Sequence, residues 1–123
     1  MGVDCRIESG IVVLDVFGRA DMLGLEKRWP DKVREAAAIV GPPILLLVKL
    51  APGMELPTVA LGGGIRDALS IAPLLRAVAM VATHEREQAI LRAAVVAVAP
   101  QHPIRLFANE EEARAWLSTF KEP

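Results

Sequence analysis

One cysteine, Cys5, and two histidines, His84 and His102, are the only thiol and imidazole metal ligands in this chain of 123 residues. A lone cysteine forms no internal disulfide, which agrees with a reducing compartment. The spacing of Cys5, His84 and His102 matches no zinc pattern, so no metal and no cofactor is expected. His84 reads as a helix-start residue and His102 as a loop residue between two prolines. Runs of Lys or Arg are also missing. With 14 basic and 15 acidic residues the formal net charge is −1, and the electrostatic footprint that nucleic-acid binding needs is not there. Long apolar runs are missing as well, although 53% of residues are apolar. The densest stretch, 36–48, contains Gly41, Pro42 and Pro43 and falls short of the roughly 20 apolar residues of a membrane span. The N-terminus reaches a charge at Asp4, and Gly2 is not followed by the Ser or Thr of a myristoylation motif, so a cytoplasmic location is expected. Without internal repeat, low-complexity tract or linker, residues 1–123 are expected to form one domain.

What is present is an alternation of apolar runs and apolar stripes. "CRIES" and "GIVVLDVFG" read as two strands joined at Ser9 and Gly10, the second apolar on both faces and therefore central. From Asp21 the period changes: Met22, Leu25, Trp29, Val33, Ala36, Ala37 and Val40 form one helical stripe, kinked or restarted at Pro30 and stopped by Gly41 and Pro42. "PILLLVKL" is a buried strand and "PGMELP" a loop. Leu61, Ile65, Ala68, Leu69 and Ala72 mark a second helix over 59–72, closed by Pro73. "RAVAMVAT" is a third buried strand, after which Thr83 or His84 caps a third helix running to about Ala99. "IRLFA" is a short last strand. Asn109, with Glu112 three residues on, opens a final helix whose stripe is Ala113, Trp116, Leu117 and Phe120. The order β-β-α-β-α-β-α-β-α predicts an α/β domain: a mixed sheet of about five strands with four helices packed against it.

Candidate chemistry is thin. Gly62, Gly63 and Gly64 invite comparison with a phosphate loop, but the Lys and Ser or Thr of that motif are replaced by Ile65, Arg66 and Asp67. An anion at this helix start is physically allowed, and close approach of another backbone or a partner is the preferred reading. Ser9, Ser70 and Ser118 sit in no strained elbow, and Cys5 has no basic neighbour but Arg6. Asp15 interrupts an apolar strand; an outward-facing position, or a partner such as Arg19, is preferred to a catalytic role. An enzyme is not expected. The third helix, "AILRAAVVAVA", is apolar on two faces: Ile90, Ala93, Ala94 and Ala97 on one, Leu91, Val95 and Val98 on the other. One sheet covers only one of them. The second face is covered by the neighbouring helix, or it suits a homodimer interface or the lining of an apolar ligand cavity.

"GIVVLDVFGRAD", a helix and then "ILLLVKLA" resemble the opening of STAS domains, the anti-anti-sigma-factor fold. "RAVAMVATHE" followed by "IRLFANEEEARAWL" is similar to the SpoIIAA-like branch of that superfamily, which is often described alongside Sec14-like lipid-binding folds. The likeness spans nearly the whole chain, with Thr83 where that branch has Asp and Arg86 where it has an aromatic. It implies a domain that acts by binding other proteins, in some members switched by phosphorylation of a Ser in an Asp-Ser motif opening the second helix. Placed on this chain, that motif falls at residues 59–62, where only the glycine, Gly62, remains; the Asp usual at the end of the preceding strand is Lys49. The nearest hydroxyl is Thr58. The resulting expectation is a non-enzymatic interaction module without the phosphoswitch, which meets a regulatory protein partner through Thr58, Gly62, Gly63, Gly64 and Arg66. The alternative is a small carrier of an apolar or lipid-like ligand.

Overall fold

The computed structural model describes residues 2–17, 29–50, 70–85, 88–89, 92 and 103–120. Within them lie β1 (Gly2–Glu8), β2 (Ile11–Phe17), α1 (Trp29–Val40), β3 (Ile44–Leu50), β4 (Leu75–Val81), β5 (Ile104–Phe107) and the C-terminal helix α2 (Glu110–Ser118). No helix among the described residues is long and apolar enough to cross a membrane.

The strands form one mixed sheet in the order β1-β2-β3-β4-β5; β1 runs antiparallel to β2 and every later pair is parallel. Ser9 and Gly10, at φ 52° and 79°, make the hairpin turn between the paired residues Glu8 and Ile11. Positive φ at both central residues gives the turn a twist that matches its flanking strands. Gly41, at φ 94°, ends α1, and its N–H donates to the carbonyl of Ala37 at 2.8 Å. The glycine stop read from the sequence is thus a left-handed helix terminus. The Pro42–Pro43 peptide that follows is cis.

The inner strands β2, β3 and β4 are apolar over most of their length because both faces of the sheet are covered there. On one face Val12, Leu14, Leu46, Val78 and Met80 pack with Val33, Ala36 and Ala37 of α1 and with Ile71. On the other, Ile11, Val13, Leu45, Leu47, Ala77, Ala79 and Val81 pack with Ala113 and Leu117 of α2. A strand order that advances one place per crossover, with right-handed connections, sends crossover helices to one face. Helix α2 closes the other face. It lies mainly on β4, where Ala77 and Ala79 let it come close, and also touches β3 and β5. Asn109 caps it as expected, its side-chain oxygen accepting from the Glu112 N–H at 2.9 Å.

Two of the four expected helices, α1 and α2, stand in the described residues. Of the second, only Ser70 and Ile71 are described, leading into a 3-10 turn over Ala72–Leu74. The third is represented by residues 85, 88–89 and 92. Most of both, and residues 18–28, lie outside the described residues.

Candidate functional site

Since α2 covers the β3–β5 side of its face, the β1–β2 side needs another cover, and the sequence supplies charge there. Asp4, Arg6 and Glu8 alternate along β1; Asp15 follows Ile11 and Val13 on β2, and Lys49 follows Leu45 and Leu47 on β3. Strand side chains repeat with a period of two, so these residues share the face on which α2 presents Glu110 and Arg114.

They close into a ring in which cations and carboxylates alternate. Arg6 bonds Asp15 and Glu8. Lys49 Nζ lies 3.3 Å from Oδ1 of Asp15 and 2.7 Å from Oε1 of Glu110. Arg114 then donates to Glu110 at 2.7 Å and to Glu8 at 2.8 Å, which completes the circuit. Asp4 joins from outside, 3.1 Å from Arg6. Asp4 and Asp15 are direct cross-strand partners, an arrangement that like charges disfavour and that the Arg6 guanidinium between them relieves.

The ring sets the electrostatics of its members. Bonds from Arg6 and then Arg114 hold the Glu8 carboxyl below the usual range, and Lys49 and then Arg114 do the same for Glu110. The Arg6 guanidinium is pushed up by its bonds to Asp15 and Glu8. Partial burial pulls Lys49 down, but its bonds to Glu110 and Asp15 outweigh that and leave it raised. Arg114 is raised in the same way, with Glu110 and Glu8 outweighing its burial. Each shift favours the charged form, as mutual pairing requires.

On the opposite face, α1 and β1 bound an open groove of about 290 Å³ lined by Cys5, Arg6, Ile7, Lys32, Glu35, Ala36 and Ile39. The Cys5 thiol approaches the Lys32 carbonyl at 3.7 Å. Burial, and then Asp4, push that thiol up, away from the thiolate.

Thr58, Gly62, Gly63, Gly64 and Arg66 lie outside the described residues, as do Leu91, Val95 and Val98. The structure does place the ends of the segment that carries the glycines. It leaves β3 one residue after Lys49 and rejoins the described chain at Ser70, whose Oγ accepts from Arg34 at 3.1 Å. Asp15, read from the sequence as partnered, is partnered by Arg6 and Lys49; Arg19 lies outside the described residues. The ring was not foreseen. A signal for it existed, since charged residues of matching parity interrupt three successive strands.

No protein-family model matches the chain, and no curated protein does. Among solved structures, the chain is similar to an uncharacterised protein of the DUF3478 family from Shewanella loihica PV-4, described as having a SpoIIAA-like fold. The two are 18% identical, with a TM-score of 0.63, over 94% of this chain and 92% of the other. The likeness shows the fold: this chain has a SpoIIAA-like α/β fold.

Proposed function

We propose that the chain is a non-enzymatic STAS-like interaction module without the Asp-Ser phosphoswitch. It binds a protein partner through the segment after β3, around Thr58, Gly62, Gly63, Gly64 and Arg66. The observation that supports this reading is the state of Lys49. This residue stands at the end of β3, where STAS relatives carry Asp, and it is clamped between Asp15 and Glu110. A lysine that acts as base or nucleophile needs a lowered pKa, and Lys49 has a raised one. Cys5 is shifted away from its reactive thiolate, and Glu8 and Glu110 away from the protonated form a general acid needs. The ring of ion pairs ties β1, β2, β3 and α2 together, and from that platform the segment after Leu50 is presented to a partner.

The carrier reading rests on the second apolar face of the third helix, Leu91, Val95 and Val98, which lies outside the described residues. Among the described residues, the open groove beside α1, of roughly 290 Å³, falls just below the range of ligand pockets, about 300–1,000 Å³, and the interaction reading is preferred. Native mass spectrometry after mild purification separates the two. The proposal expects the mass of the bare chain or of its protein assemblies; a stoichiometric lipid or acyl adduct would replace it with the carrier.

A further inference from the structure

Among the described residues β1 is an edge strand, bonded to β2 alone. The hairpin determines which of its backbone groups face outward. Glu8 and Ile11 flank a two-residue turn and exchange both hydrogen bonds, and bonded pairs alternate from there. Glu8, Arg6 and Asp4 therefore bond to β2, while Ile7, Cys5 and Val3 turn their N–H and C=O groups away from the sheet. Natural edges are blunted by short length, proline, bulges or inward-pointing charge. β5, the opposite edge, has four residues, follows Pro103 and carries the exposed Arg105. β1 has seven residues, no proline and an uninterrupted register, and its charges, Asp4, Arg6 and Glu8, are paired with opposite charges on the ring face. Among the described residues, the exposed large hydrophobics are Ile7 and Ile39, at 38% and 76%. Both line the groove beside this edge.

We propose that β1 pairs antiparallel with β1 of a second copy, about a two-fold axis through Cys5, so that one sheet runs across the dimer. Outward-facing residues must meet outward-facing residues, so the axis passes through a residue and not between two. Centred on Asp4, the register sets Asp4 against itself. Centred on Arg6, it sets Arg6 against itself and Asp4 against Glu8. Centred on Ile7, it runs the strand into the Ser9–Gly10 turn. Centred on Cys5, it overlaps the whole strand, pairs the outward groups of Val3, Cys5 and Ile7 with Ile7, Cys5 and Val3 of the second copy, and sets Asp4 opposite Arg6 of the second copy. Asp4 and Arg6 then form a non-hydrogen-bonded pair, the closer of the two cross-strand spacings. The longest overlap and the complementary charges select the same register. This surface is distinct from the Leu91, Val95 and Val98 face expected from the sequence, which lies outside the described residues.

Sedimentation equilibrium on the full chain tests the proposal. Ile7→Pro deletes an outward N–H and leaves the β1–β2 ladder intact, since edge strands accept proline where the N–H faces solvent. Wild type is expected at twice the mass of one chain, and Ile7→Pro at the mass of one chain with an unchanged far-ultraviolet circular dichroism spectrum. Asp4→Arg, which faces Arg6 of the second copy, is expected to weaken the dimer about tenfold or more at low salt. If Ile7→Pro does not fold, Asp4→Arg and amide exchange at Cys5 and Ile7, slow in the dimer and fast on dilution, carry the test. A wild type that stays monomeric up to about 1 mM overturns the proposal. So does a dimer insensitive to Asp4→Arg, or one dissociated by Leu91→Asp/Val95→Asp but not by Ile7→Pro.

Discussion

Lys49 sits 3.3 Å from Asp15, its partner in the β2–β3 register, and this contact joins the central strands to the helix that covers them, because the same ammonium reaches Glu110 at 2.7 Å. Removing Lys49 opens the ring without stranding a charge: Asp15 keeps Arg6 and Glu110 keeps Arg114. Lys49→Met is therefore expected to cost only about 1 kcal/mol in urea unfolding, the upper end for partly exposed pairs. Arg6→Met leaves Asp4 opposite Asp15 and is expected to cost more. The reverse order would contradict the ring as described.

Acid should loosen the ring before it dissolves the core. Glu8 and Glu110 are held below their ordinary value of 4.5 in the folded chain. Their contribution to stability is complete above that value and is lost as pH falls through the lower folded values. Urea midpoints measured from pH 6 downward should fall below about pH 4.5, and replacing both residues by Gln should flatten that fall. An equally steep fall in the double variant would place the acid sensitivity elsewhere.

The cap of α2 is independent of the ring. Asn109→Ala removes the acceptor of the Glu112 N–H and is expected to destabilise the protein by about 1 kcal/mol. Leu117, fully buried against the sheet, is the helix's main anchor; Leu117→Ala should cost about 3 kcal/mol. Thermal melts of the two variants check the order, and a cap variant worse than the Leu117 variant would mean that helix propensity, not packing, holds α2.

Cys5 should react slowly. Burial and Asp4 keep its thiol protonated, so a disulfide reagent should label the folded chain more slowly than the urea-unfolded chain at the same pH. Asp4→Asn removes a charge that raises the thiol and should speed labelling. Folded-state labelling as fast as in urea would show that the thiol is activated.

Much of the fold was legible in the sequence because its signals are local. Continuous apolar runs gave β2, β3 and β4; a glycine followed by a proline ended α1; and Asn109 with Glu112 marked the start of α2. The ring was not legible as a site because its contacts join distant positions: Lys49 and Glu110 are 61 residues apart, and Glu8 and Arg114 are 106 apart. Only packing of α2 across the sheet brings them together. Asp15 shows the boundary well. Its isolation among apolar residues pointed to a partner; Arg6 reaches it across the Ser9–Gly10 hairpin, but Lys49 reaches it through the parallel pairing of β2 with β3, which no spacing along the chain encodes.

The most direct test of the interaction reading is quantitative capture from an extract of the source cells, with wild-type chain and Arg66→Glu as parallel baits, both shown by circular dichroism to be folded. The account predicts that one protein is enriched stoichiometrically by wild type and lost with Arg66→Glu, while Lys49→Met, which opens the ring without touching the segment, retains it. Equal recovery by wild type and Arg66→Glu, or no specific enrichment by either, would contradict it.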